Sequence, residues 1–107
     1  MQIDENLINE IVGRILQVTQ PSRVILFGSA ATGTMTPDSD LDLLVIEDNV
    51  AYEREESIRL RSSLGDIGYP VDVFAMTRIR FEETKDVIGG LAYPANKYGR
   101  VIYEAPG

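Results

Sequence analysis

The stretch FGSAATGTMTPDSDLDLLVIED, residues 27–48, places a loop of small and polar residues between two apolar segments. The second segment, DLDLLVI at residues 40–46, is predicted to form a strand that begins with acidic residues. Because side chains alternate along a strand, residues with even numbers share one face and those with odd numbers share the other. Asp40 and Asp42 therefore point the same way, with Cα atoms about 7 Å apart. A strand suited to burial carries two like charges where it begins.

The remaining apolar patterns predict alternating helices and strands in a single domain, residues 1–107, of the α/β (α+β) class. The polar and charged residues of the segment 50–64 indicate an exposed helix whose charge pairs serve solvation. The predicted helices cover residues 3–18, residues 50–64 and a segment from a Thr77 cap to about Val87. Phe81 and Ile88 are predicted to face inward from the last of these, and a loop or short helix follows at 93–98. The predicted strands are Arg23–Phe27, Asp40–Ile46, Val71–Met76 and an edge strand, Arg100–Glu104.

The composition excludes several kinds of chemistry. The chain has no cysteine and no histidine, which rules out disulfides, Cys/His zinc sites and catalysis that depends on a thiol or an imidazole. A formal net charge of −7 argues against generic nucleic-acid binding through a basic surface. No apolar run is long enough to span a bilayer, and the acidic N-terminus is unlike a signal peptide, so we expect a cytoplasmic protein without membrane contact.

A third isolated acid lies in another apolar strand. Asp72 is flanked by Val71 and Val73, and no lysine or arginine lies between Arg23 and Arg54 to neutralise the earlier pair. Taken alone, the Asp-x-Asp pair is more typical of a turn followed by a solvated strand end. Three acids entering two strands, with only oxygen ligands on offer, instead favour a Mg²⁺ or Mn²⁺ site.

The loop before the acids offers groups that suit a phosphate. Gly28 permits close approach to the backbone, and Ser29 supplies a hydroxyl and an amide directly after a strand. A Gly-Ser dipeptide by itself also fits a simple turn. The P-loop pattern is missing, because Gly33 is followed by Thr34 and not by lysine.

Together these residues resemble the signature of the polymerase β nucleotidyltransferase superfamily, which is Gly-Ser, ten residues, Asp-x-Asp and a third acid on a later strand. The match consists of Gly28-Ser29, residues 30–39, Asp40-Leu41-Asp42 and Asp72. The length and order of elements are similar to those of the minimal nucleotidyltransferase group. The resemblance implies a small mixed sheet with helices packed on one face and a site where the loop meets the Asp-x-Asp strand.

The resemblance also implies a reaction, in which AMP from ATP is transferred to a hydroxyl and pyrophosphate leaves. Asp40 and Asp42 would bridge two Mg²⁺ (or Mn²⁺) ions that clamp the attacking and leaving oxygens. Asp72 would hold the ion on the nucleophile side and help to take the hydroxyl proton. Gly28 and Ser29 would bind the β and γ phosphates.

Many minimal nucleotidyltransferase domains resemble antitoxins that adenylylate a tyrosine of a helical HEPN-type toxin, and members of the family often self-associate. The resemblance thus implies a toxin partner encoded by a neighbouring gene. Relatives often carry arginines after Gly-Ser, whereas residues 30–33 read AATG. We therefore expect slow transfer, or a positive charge supplied by the partner.

Two other functions fit the same sequence. The first is a binding module that masks its partner by contact alone, which the missing arginines favour and the three aspartates disfavour. The second is transfer to a small molecule such as an aminoglycoside, for which the chain is short because it would also need a substrate domain.

Overall fold

The computed structural model describes residues 3–33 and 39–106. They form helices and strands in the predicted order, and none of the helices is long and apolar enough to cross a membrane. The elements are α1 (Glu5–Leu16), β1 (Arg23–Phe27), α2 (Ser29–Thr32), β2 (Leu41–Glu47), α3 (Glu53–Leu64), β3 (Val71–Thr77), α4 (Arg78–Thr84), α5 (Ala92–Tyr98) and β4 (Arg100–Glu104).

The four strands form one mixed sheet in the order β3-β2-β1-β4. Strand β1 runs antiparallel to β2 and β4, whereas β2 runs parallel to β3. The predicted mixed sheet and the edge position of β4 are therefore confirmed. Strand β2 begins one residue later than predicted, so that Asp40 lies just before it.

Both faces of the sheet are covered, as the alternation in β2 requires. The predicted assignment of odd and even positions to opposite faces is confirmed, because the two sets belong to different hydrophobic clusters. On one face, Leu41, Leu43 and Val45 pack with α1 and α3 through Ile11, Ile15, Leu60 and Leu64. On the other face, Leu44 and Ile46 pack with α4 and α5 through Phe81, Ala92 and Ala95.

The expectation that the helices lie on one face is correct for α1 and α3 and wrong for α4 and α5. The apolar side chains of the second face, such as Ile25 in β1 and Leu44 and Ile46 in β2, need a cover of their own, which the two short helices provide. Thr77 caps α4 as predicted, accepting a hydrogen bond from the Arg80 amide. The helix ends at Thr84, however, and Ile88 is 79% exposed instead of facing inward.

Helix α3 does more than present charges to solvent, because it bonds to the outer edge of β3. Its side chains at positions 53, 57 and 61 follow a spacing of four, which places them on one side of the helix. The bonds run from the Ala75 amide to Ser57 Oγ (2.8 Å), from the Thr77 amide to Glu53 Oε2 (3.0 Å) and from Arg61 Nε to the Val71 carbonyl (2.9 Å). They occupy backbone groups that would otherwise be open to pairing with another chain.

We expect Ser57→Ala to lower the free energy of unfolding by about 1–2 kcal/mol, because the Ala75 amide loses its acceptor. The matched control is Ser62→Ala, an exposed serine of the same helix, for which the change should stay within about 0.5 kcal/mol. Urea denaturation measures both values. Equal changes in the two variants would show that the bond to the strand edge contributes nothing.

Candidate active site

Three chain segments meet at one edge of the sheet, because β1 ends where β2 and β3 begin. In the register of the strands, Asp42 lies beside Phe27 of β1 on one side and beside Asp72 of β3 on the other. Neighbouring strands are about 4.8 Å apart, so the two acids are immediate neighbours. Asp40 is exposed just before β2 and acts electrostatically on Asp42. The structure thus places Asp42 beside Asp72, with Asp40 near enough to act on Asp42 electrostatically.

Gly28 connects this edge to α2 and lies against Asp42. Its backbone has φ 74° and ψ −152°, a conformation that is nearly restricted to glycine. A Cβ atom at this position would collide with carboxylate oxygen Oδ2 of Asp42. The Gly28 carbonyl accepts the amides of Ala31 (3.1 Å) and Thr32 (3.3 Å), which begins the helix. Ser29 follows as its first residue and is half-buried.

The carboxylates repel one another without a compensating cation. Burial raises the pKa of Asp42 above its ordinary value, and the negative charges of Asp72 and Asp40 raise it further. No ion pair within the described residues includes any of the three acids. Negative charge therefore accumulates at this edge, and a bound cation would relieve it.

The donor set fits a hard divalent cation that binds together with a substrate. The described residues contain no group of three or more acidic side chains close enough to enclose an ion by themselves. Mg²⁺ commonly keeps several waters and takes one or two carboxylates plus substrate phosphates, so a ready-made protein cage is not required. Asp42 and Asp72, with Asp40 beside them, meet that requirement. Their role as ligands, and that of Gly28 and Ser29 in binding phosphate, remain predictions.

Aromatic residues near the acids were not anticipated from the sequence. Phe27 lies opposite Asp42, and its ring centroid is 6.1 Å from that of Phe74, which shares a face with Asp72. Phe27 is buried and lies in register with Asp42, so the surroundings of this carboxyl group are partly apolar. The signal was present in the sequence, since Phe27 directly precedes Gly28, but only the pairing of β1 with β2 shows which acid the ring adjoins.

A contact between the loops also helps to set the site. The Leu41 amide donates a hydrogen bond to the Pro70 carbonyl (2.9 Å), which ties the turn before β3 to the start of β2. This bond lies one residue before Asp42 and two residues before Asp72. It therefore helps to hold Asp42 and Asp72 level with each other at the sheet edge.

Comparison with known proteins assigns the chain to a family. The model of the nucleotidyltransferase domain family matches residues 6–93, so the chain belongs to that family. Its fold is similar to the crystal structure of a candidate nucleotidyltransferase from Sulfolobus solfataricus, with a TM-score of 0.66 and 19% sequence identity. The similarity covers 92% of this chain and 78% of the other. A comparison with curated protein sequences finds no match.

We expect Gly28→Ala to lower the free energy of unfolding by about 2–3 kcal/mol, because the new Cβ combines backbone strain with the collision against Asp42. Gly33→Ala is the control, since Gly33 also has a positive φ of 77° but, among the described residues, no atom lies within 4 Å of the place that its Cβ would take. That variant should lose only about 1 kcal/mol. Chemical denaturation gives both values, and a loss at Gly28 no greater than at Gly33 would contradict the close approach.

Proposed function

We propose that this nucleotidyltransferase-family protein transfers AMP from ATP to a tyrosine hydroxyl of a partner toxin of the HEPN type, and so acts as an antitoxin in the cytoplasm. The observation that carries the proposal is the meeting of Asp42, Asp72 and Gly28 at one sheet edge, with negative charge that no described cation offsets. Family membership supports nucleotidyl transfer in general. The choice of ATP, of a protein acceptor and of the toxin rests on the resemblance to minimal nucleotidyltransferases.

In this proposal each residue has a distinct task. Asp40 and Asp42 hold Mg²⁺, which supplies charge neutralisation for the triphosphate. Gly28 and Ser29 bind the β and γ phosphates through the backbone and the hydroxyl. Asp72, which is exposed at the edge, receives the acceptor hydroxyl and takes its proton. The hydroxyl oxygen forms a bond to the α-phosphorus, the bond from that phosphorus to the β-bridging oxygen breaks, and pyrophosphate leaves with the electron pair.

One observation favours a second candidate, in which the protein masks its partner by contact alone. Helix α2 is built from Ser29, Ala30, Ala31 and Thr32 and offers no basic side chain beside the acids. A triphosphate would therefore meet little positive charge from this helix. Masking would require no chemistry from the aspartates, and this difference separates the two candidates.

The test incubates the protein with Mg²⁺, labelled ATP and the purified product of the neighbouring gene. Label in the α-phosphate should appear on the partner, while label in the γ-phosphate should leave with pyrophosphate. We expect Asp42→Asn to lower the transfer at least about 100-fold, because the cation loses a ligand. The control, Asp86→Asn, removes an exposed aspartate outside the site and should retain full transfer.

The substitution Asp42→Asn should leave the fold intact. Since the repulsion at Asp42 opposes folding, Asp42→Asn should keep or raise the free energy of unfolding at pH 7. Absence of transfer by the wild-type protein would refute the catalytic proposal. Equal transfer by Asp42→Asn and by the control Asp86→Asn would show that Asp42 is not a ligand. Neutralisation of the partner by Asp42→Asn without transfer would favour masking.

A further inference from the structure

Glu47 is a buried acid that the site described above does not use. It ends β2, on the opposite end of the strand from Asp42, and is only 6% exposed. Its Oε1 atom has no hydrogen-bond partner among the described residues. A buried carboxylate without a partner is unfavourable, so the group must either be neutral or have a compensating charge nearby.

The cation that acts on Glu47 is Arg59, which is already engaged with a different carboxylate. Arg59 of α3 donates from Nε to Glu56 Oε1 (2.8 Å) and from Nη2 to Glu56 Oε2 (2.9 Å). Its Nη1 donates to the Val18 carbonyl (3.0 Å), after the end of α1. The guanidinium thus joins α3 to the segment that follows α1 and makes no hydrogen bond to Glu47.

The groups around Glu47 favour retention of a proton on either Glu47 or its neighbour Glu56. The charged side chains that act on it are Glu56 and Arg59 of α3, while the segment after α1 contributes the neutral hydroxyl of Thr19. Strand β3 places Thr77, which does not titrate, beside it. Burial raises the pKa of Glu47 to about 7, and its contact with Glu56 adds to the effect. Arg59 lowers the pKa of Glu56, and the two opposite shifts favour a proton on Glu47 over one on Glu56.

Glu47 and Glu56 act on each other where α3 meets the sheet. The same helix bonds to the edge of β3 through Ser57 and Glu53, which accept the amides of Ala75 and Thr77. Strand β3 in turn carries Asp72. Any weakening of the contact between Glu47 and Glu56 therefore acts on a helix that supports the strand of the candidate site.

We propose that Glu47 and Glu56 form a proton-dependent latch that holds α3 against the sheet and loosens the helix from β3 when the shared proton is lost towards alkaline pH. Loss of the proton places two carboxylates in contact in a buried position, while Arg59 can compensate only one of them. The latch stands independently of the proposed nucleotidyl transfer.

The direction of the pH effect follows from the two protonation states. The pKa of Glu47 in the folded protein, about 7, lies above the ordinary value of 4.5, so the folded state binds the proton more tightly than the unfolded state. The stabilisation is complete below about pH 4.5 and is lost as the pH rises through 7. The lowered pKa of Glu56 acts below 4.5, outside this interval. The raised pKa of Asp42 changes stability with pH in the same direction as that of Glu47. Substitution at Glu47 is therefore needed to separate the effects of the two groups.

The test measures amide hydrogen exchange of Ala75 and Thr77 by NMR at pH 5.5 and pH 8, corrected for intrinsic base catalysis. In the wild-type protein we expect the protection of both amides to fall about tenfold or more between these pH values. Glu47→Gln keeps the size of the side chain and a donor towards Glu56. In this variant the protection of the Ala75 and Thr77 amides should therefore change less than about twofold between the two pH values. The control is Glu55→Gln, an exposed position of α3, which should behave like the wild type.

Two results would overturn the latch. One is an equal fall in protection in the wild type and in Glu47→Gln. The other needs no variant and therefore does not depend on the folding of one: the side-chain carboxyl carbon of Glu47 is titrated in the wild-type protein by ¹³C NMR. A midpoint near the ordinary value of 4.5 would show that no proton is shared at neutral pH, whereas a midpoint near 7 supports the latch.

Discussion

The arrangement of the candidate site depends on the parallel pairing of β2 with β3. This register places Asp42 beside Asp72, an arrangement that electrostatics alone opposes. The hydrophobic core imposes it, because β2 is buried on both faces and a slip of one residue would move every leucine to the wrong face. The repulsion between the acids is small beside the free energy of burying these side chains. A pair of adjacent carboxyl groups is therefore maintained by apolar packing a few residues away.

Gly28 and Phe27 adjoin Asp42 from the other side of β2, where β1 lies. The missing side chain of Gly28 leaves room for the Asp42 carboxylate, while the ring of Phe27 reduces its contact with water. Burial is the largest cause of the raised pKa of Asp42, ahead of the neighbouring charges. Desolvation and repulsion both destabilise the free carboxylate, and both make the binding of a cation more favourable. Residues of functional sites commonly lower the stability of the folded protein.

Helix α3 shows how a polar sequence can have a structural role. Only Leu60 and Leu64 of this helix are fully buried, and its charge pattern by itself predicts a solvated face. In the folded protein Glu53, Ser57 and Arg61 instead bond to the edge of β3, and Glu56 and Arg59 lie beside Glu47. A pattern of charges along a helix does not reveal these contacts, since their partners are backbone groups and a buried acid on distant strands.

The sequence by itself determined the four strands, the two faces of β2 and the candidate site residues from Gly28 to Asp72. These follow from side-chain alternation, turn-forming residues and a motif spacing that is local in the chain. Only the tertiary structure decided that α4 and α5 cover the second face, that Phe27 adjoins Asp42 and that Glu47 is buried beside Glu56. The reason is physical: periodicity records which residues avoid water, whereas the choice of partner between distant segments is settled by how all the apolar surfaces pack at once.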